Sequence, residues 1–126
     1  MKKEYQSHLS EEEKSILVNK GTETPFTGEY DSLFSDGEYL CKGCDSTLFS
    51  SVSKFKSNCG WPSFDEVVSD NIEQKVDKSL GRIRTEIICS KCNGHLGHVF
   101  EGENYTMKNT RYCVNSLSLK FKSNKK

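Results

Sequence analysis

Arg82-Ile83-Arg84-Thr85-Glu86-Ile87-Ile88-Cys89-Ser90-Lys91-Cys92-Asn93-Gly94 decides the fold. Ile83, Thr85 and Ile87 alternate with Arg82, Arg84 and Glu86, the period-two pattern of a strand with one apolar face. The strand runs directly into a Cys-x-x-Cys turn. Upstream, Asn71–Val76 supplies a partner arm, and the chain between the arms turns around Asp77–Gly81. The whole reads as an antiparallel hairpin whose far end carries paired thiols.

Working outward, further short strands fit Glu38–Cys41, Thr47–Ser50, Leu96–Phe100, Arg111–Asn115 and Ser118–Phe121. Glycines recur at intervals too short for long helices. One helix is well signalled near the start. Ser10 caps it, Glu13 completes a capping box, and Glu11, Glu12 and Glu13 suit the positive end of its dipole. Ile16 and Leu17 give it an apolar patch, Gly21 is the expected stop, and Pro25 bars continuation. A helical turn is predicted after Pro62 within Trp61–Val68. The expected architecture is mainly β with an N-terminal helix and peripheral helical turns. One domain over residues 1–126 is expected, its core spanning about 9–121 and both Lys-rich ends forming solvated polar tails.

Composition narrows the function. Eighteen basic and eighteen acidic residues cancel, so no domain-wide basic field is available to hold nucleic acid through counterion release. Only 33% of residues are hydrophobic, which implies a thin core that needs a cross-link or a metal. No apolar run in the first thirty residues suits a signal peptide, and no stretch could span a bilayer. The expectation is a cytoplasmic monomer with neither nucleic-acid nor membrane partners. In that reducing compartment six cysteines indicate metal ligation or redox catalysis rather than structural disulfides.

Four of the six fall into two knuckles, Cys41-Lys42-Gly43-Cys44 and Cys89-Ser90-Lys91-Cys92. A two-residue gap lets a tight turn aim both sulfurs at one point, and two such turns facing each other make the thiolate tetrahedron that suits zinc. Gly43 and Asn93-Gly94 supply backbone freedom for the turns. One structural zinc per chain is therefore expected on Cys41, Cys44, Cys89 and Cys92. The long spacer from Asp45 to Ile88 exceeds that of compact zinc ribbons, so the metal would pin two distant parts of the chain. Competing assignments are a thioredoxin-like dithiol, an iron–sulfur cluster, or a local site on Cys89, Cys92, His95 and His98. None accounts for both knuckles as simply. No histidine follows either knuckle as c-type haem attachment would require.

Cys59 and Cys113 have no metal spacing. On a strand, Arg111, Cys113 and Asn115 share one face, a setting that favours thiolate and polar recognition. His98 and Phe100 share a face of the preceding strand, with His95 three residues back in a loop. This is a Cys/His constellation compatible with several thiol reactions. A buried structural Cys113, two ordinary histidines and a core Trp61 fit the same residues.

Four motifs add specificity: Gly21-Thr22-Glu23-Thr24-Pro25-Phe26-Thr27-Gly28-Glu29-Tyr30, Cys59-Gly60-Trp61-Pro62-Ser63-Phe64, His95-Leu96-Gly97-His98-Val99-Phe100 and Arg111-Tyr112-Cys113-Val114-Asn115-Ser116. In this order, interleaved with the two knuckles, they resemble the B-type methionine sulfoxide reductases, which act on methionine-R-sulfoxide. The resemblance covers about Leu9 to Phe121. It implies two small antiparallel sheets, Cys113 as nucleophile and Cys59 as resolving cysteine. His95, His98, Arg111 and Asn115 match catalytic positions, and Trp61 and Phe100 match substrate-binding ones. It also implies oxidised proteins or peptides as substrate, a Cys113 sulfenic acid, a Cys59–Cys113 disulfide and thioredoxin as reductant. Two positions depart from the pattern. Asn58 stands where glycine usually precedes the resolving cysteine, and Glu101–Thr110 lacks the usual Pro- and Gly-rich run beside the substrate groove. The rivals from other classes are a non-catalytic zinc-ribbon binding module, indifferent to Cys113→Ser, and a thiol peroxidase, faster on peroxide than on sulfoxide.

Overall fold

A computed structural model describes residues 1–68, 70–78 and 81–124. Helix α1 spans Glu11–Leu17. The strands are β1 (Gly37–Cys41), β2 (Thr47–Ser50), β3 (Lys54–Phe55), β4 (Ser63–Phe64), β5 (Ile72–Asp77), β6 (Arg84–Cys89), β7 (His95–Glu101), β8 (Thr110–Val114) and β9 (Leu119–Ser123). They form two antiparallel sheets. One has three strands in the order β2-β1-β9, the other six in the order β3-β4-β8-β7-β6-β5.

The capping box forms as expected. The Ser10 hydroxyl accepts from the Glu13 N–H at 3.1 Å, and the Ser10 N–H donates to Glu13 Oε1 at 2.8 Å. The helix stops earlier than Gly21. Lys20 takes the left-handed conformation at φ 58°, and the Gly21 N–H reaches back to the Ser15 carbonyl at 2.9 Å. Gly21 is needed for space rather than for φ, since a Cβ there would lie 2.7 Å from the Ser15 carbonyl oxygen.

The predicted hairpin forms between β5 and β6, in register from Ile72 opposite Cys89 to Asp77 opposite Arg84. Ser79 and Leu80 of its turn lie outside the described residues, as do Lys125 and Lys126 of the expected C-terminal tail. Ile83 is 79% exposed and lies before the strand. The apolar face is therefore shorter than the alternation suggests. From Glu86 to Cys89 every residue is buried, so both faces of the strand are covered there. The helical turn expected in Trp61–Val68 is absent. Ser63 and Phe64 instead pair with β8, Ser63 opposite Cys113 and Phe64 opposite Tyr112. The N-terminus is no free tail either: the Lys2 N–H donates to the Cys92 carbonyl at 2.7 Å, and Met1 packs against the core.

Both sheets and α1 contribute to one apolar cluster, with Tyr39, Leu48, Phe49, Phe64, Ile87, Leu96 and Val114 fully buried. Phe49 and Phe64 stack at 4.2 Å between ring centroids, and Tyr39 meets Phe64 edge-on at 5.0 Å. Residues directly opposite in a sheet share a face. Thr85, Val99, Tyr112 and Phe64 form one such row, which turns toward this core. The next row, on the other face, runs Glu86, His98, Cys113, Ser63. That row positions the chemistry.

Candidate active site and metal cage

The two knuckles sit in hairpin turns from different sheets, one joining β1 to β2 and the other β6 to β7. They are near copies. The Asp45 N–H bonds the Cys41 carbonyl at 2.9 Å, and the Asn93 N–H bonds the Cys89 carbonyl at 2.8 Å. Asp45 and Asn93 both have φ 63°, so these residues, not Gly43 or Gly94, take the left-handed step. A Cβ on Gly43 would collide with the Met1 methyl, and one on Gly94 would lie 2.9 Å from Leu17. The glycines make room for neighbours.

The four sulfurs lie within 4.8 Å of one another. Cys41 and Cys92 are 3.6 Å apart and Cys44 and Cys89 3.5 Å. Metal–sulfur bonds of ~2.3 Å in a tetrahedron give edges of about 3.8 Å, so the cage fits. Its four cysteines are placed to bind a metal ion.

Further along β7, a cleft of about 130 Å³ opens over Cys113. Cys59, Trp61, His98, Phe100, Arg111 and Asn115 line it, together with Arg84, Gly97 and Thr22. The strand order explains the assembly. Pairing of β4 with β8 brings the Cys59 loop beside Cys113, and pairing of β7 with β8 sets His98 opposite Cys113 and Phe100 opposite Arg111. Gly97 permits the close approach, because a side chain there would overlap the Cys113 carbonyl.

Cys59 and Cys113 line the cleft together, and their thiols interact. That interaction, with help from the Ser57 and Ser63 hydroxyls, holds Cys59 down to about 4 against the effect of burial. The same interaction, together with burial, pushes Cys113 up, while the Arg111 charge pulls it back. Cys59 is held by the Ser57 hydroxyl at 3.1 Å and the Trp61 carbonyl at 3.4 Å. Asn58 at φ 61° and Gly60 at φ 97° flank it. Asn58 therefore occupies a conformation that glycine adopts freely and asparagine tolerates, which accounts for the departure noted in the sequence.

The remaining residues divide into those in the cleft and those behind it. Trp61 is held by its indole N–H, which donates to the Glu23 carbonyl at 3.0 Å. Asn115 donates to the Leu96 carbonyl at 3.0 Å and accepts from the Glu23 N–H at 3.0 Å. It ties the 21–30 segment and β7 to the end of β8. Arg111 makes a two-pronged pair with Glu103, at 2.8 and 3.2 Å, and lies over the Phe100 ring at 4.6 Å. This recruits the Glu101–Thr110 segment to the cleft rim.

His95 does not line the cleft. A bulge at Leu96 sets His95 opposite Ile88 and turns it to the face of Glu86. Its Nδ1 lies 2.7 Å from Glu86 Oε2, and its ring meets that of His98 edge-on at 5.7 Å. Burial lowers its pKa, outweighing the raising effect of Glu86. His98 lines the cleft, and its Nε2 lies 2.8 Å from Asp77 Oδ2.

Sequence reasoning missed Asp77, Glu86, Glu103, Arg84 and Glu23. The β5–β6 register sets Asp77 opposite Arg84, so extending the predicted hairpin by one pair would have found that couple. The partners of Arg111 and Trp61 carried no signal in the sequence.

Fold and cleft define a class: a β domain with paired thiols beside histidine, arginine and aromatic rings, and a separate four-cysteine cage. The SelR domain matches residues 9–123. Peptide methionine sulfoxide reductase MsrB of Acinetobacter baylyi is 48% identical over 125 residues, 98% of this chain and 89% of that protein. Peptide methionine sulfoxide reductase B5 of Arabidopsis thaliana is 50% identical over 119 residues, 94% of this chain and 84% of that protein. The chloroplastic B3 protein of Oryza sativa subsp. japonica is 51% identical over 119 residues, 94% of this chain but 51% of that protein, so the chain spans about half its length. The chain belongs to the SelR domain family of B-type peptide methionine sulfoxide reductases.

Proposed function

We propose that the protein reduces methionine-R-sulfoxide in oxidised proteins and peptides, with Cys113 as the attacking thiol. The observation that carries this reading is the placing of Cys59 and Cys113 together in a cleft walled by Trp61, Phe100, His98 and Arg111.

The sulfoxide sulfur is electrophilic, and its oxygen leaves only with protons. The substrate methyl group lies against the Trp61 and Phe100 rings, a contact that sulfur side chains favour. Cys113 acts once its proton has moved to His98, and the Arg111 charge favours thiolate at that position. Its electron pair forms a bond to the substrate sulfur while the oxygen takes the proton from His98. The hydroxyl then passes to the Cys113 sulfur as the S–O bond and the bond between the two sulfurs break, one electron pair staying on the substrate sulfur. The balanced outcome is methionine plus a Cys113 sulfenic acid: the substrate sulfur is reduced by two electrons and the Cys113 sulfur oxidised by two. The Cys59 thiol then attacks the Cys113 sulfur, releasing water and closing a disulfide. A thioredoxin-type dithiol reduces that disulfide by exchange and takes the oxidised form itself. Asn115 holds the strand in place. His95, behind His98, supports the ring wall.

Cys41, Cys44, Cys89 and Cys92 would hold a zinc ion, which would supply a redox-inert cross-link between hairpins of the two sheets. Six unpaired cysteines suit a reducing compartment, the cytosol, and among the described residues no helix is long and apolar enough to cross a membrane. We read the chain as one catalytic unit that works as a monomer.

The deciding experiment is turnover of dabsylated methionine sulfoxide, separated by epimer, with dithiothreitol and with thioredoxin. Turnover of the R epimer is expected; its absence sinks the reading.

A further inference from the structure

The His98 ring is a partition. On one side is the cleft with Cys113. On the other is a second chamber of about 420 Å³, lined by Lys20, Asp77, Lys78, Arg84, Glu86 and His95. Both spaces touch His98 and Arg84. A displaced imidazole therefore has room to leave the cleft wall, and packing alone does not hold it there. What does is Asp77, the last residue of β5, whose Oδ2 lies 2.8 Å from His98 Nε2 and 3.4 Å from Arg84 Nη2.

We propose that Asp77, held by Arg84, is a positioning residue that fixes the orientation and tautomer of His98, leaving Nδ1 as the nitrogen that exchanges a proton with the sulfoxide oxygen. This rests on the role given to His98 above. A carboxylate accepts from Nε2–H, and the bond made by one ring nitrogen decides the state of the other. Among the described residues, the titratable and charged groups lining the two spaces are Asp77 from β5, Arg84 and Glu86 from β6, His95 on its own strand, Arg111 and Cys113 on β8, Cys59 from the loop before β4, and Lys20 and Lys78 across the chamber. Of these, only Asp77 makes a hydrogen bond to the ring among the described residues. During the reaction the Cys113 electron pair forms the bond to the substrate sulfur. The oxygen takes from Nδ1 the proton that Nδ1 first accepted from the Cys113 thiol, and Nε2 keeps its own proton on Asp77.

The test compares Asp77→Ala, Asp77→Asn and His98→Ala, singly and, for Asp77→Ala with His98→Ala, in combination. Asp77→Ala is expected to lower kcat by about tenfold to a hundredfold, part of the ~10²–10⁴ that a positioned acid contributes. KM should change by less than about twofold on the same grounds, since the substrate contacts remain. Asp77→Asn, whose amide oxygen accepts the same N–H, should recover most of the loss. In the His98→Ala background Asp77→Ala should add nothing. Wild-type kcat in Asp77→Ala, or multiplying losses in the double variant, overturns the proposal. Ring ¹⁵N shifts of the unaltered protein give a readout independent of activity and of any variant's folding. The Nε2–H tautomer of His98 is expected, and Nδ1–H overturns the proposal. If the wild type lacks R-sulfoxide turnover while the Nε2–H tautomer is seen, the functional reading fails instead.

Discussion

Six cysteines serve two arrangements, one in the turn before β7 and one beside its middle, and the contrast lies in how each is held. The cage is built from two local turns that copy each other hydrogen bond for hydrogen bond, down to the left-handed Asp45 and Asn93. Each turn presents its two sulfurs through backbone geometry alone. The Cys59–Cys113 pair has no local geometry in common. It exists because β4 pairs with β8, and its sulfurs differ in surroundings: serine hydroxyls around Cys59, the Arg111 charge beside Cys113. Symmetry suits a site that must stay put. Asymmetry suits a site in which one thiol attacks and the other resolves.

The contrast breaks most visibly at the cage. Cys89→Ser is expected to lose the metal and, with it, a contribution of ~10–16 kcal/mol seen for structural zinc in small domains. Metal analysis and thermal unfolding check this; a cooperative transition at the wild-type temperature would show that the cage is dispensable. Cys113→Ser should do the reverse, abolishing R-sulfoxide turnover while metal content stays at one per chain. Its melting temperature should shift by no more than a few degrees, about 1 kcal/mol for an isosteric change.

Cys59→Ser sharpens the comparison within the pair. The neighbouring Cys59 raises Cys113, so removing that sulfur lowers the Cys113 pKa. Iodoacetamide alkylation of Cys113 should then begin at lower pH than in the wild type. The same variant should keep dithiothreitol-supported turnover and lose most of the thioredoxin-supported turnover. A rise in the alkylation midpoint would show that Cys59 was assisting the Cys113 thiolate instead. The smallest effect belongs to Asn58→Gly. Both residues accept φ 61°, so stability should change by less than about 1 kcal/mol, and any change in thioredoxin-supported rate reports loop mobility.

Legibility in the sequence follows the same division. The cage could be read because its information is local: strand end, Cys-x-x-Cys, strand start. The hairpin β5–β6 and strands β1, β2, β7, β8 and β9 were readable for the same reason, to within a residue or two. Strands β3 and β4 were not. Two residues cannot show an alternation, and Ser63–Phe64 is a strand only because β8 lies beside it. The proximity of Cys59 to Cys113 depends on that pairing, so the pair was reached through family motifs and not through spacing. Acidic partners were the other gap. Glu86 looks like an outward residue in the alternation, yet it is 5% exposed because the bulge at Leu96 turns His95 onto it. Glu103 and Asp77 sit where loops and turn ends are expected and become visible only once Arg111 and His98 have positions.

Gly97 carries a consequence for anyone who would redesign this protein. Any side chain there collides with the backbone of Cys113, so the floor of the cleft offers no room for engineering. The rim does: Tyr105 is half exposed and Met107 fully so, on a segment anchored to the floor through Glu103 and Arg111. New substrate preferences are to be sought by rewriting that segment around a retained Glu103, with the glycine beneath left alone.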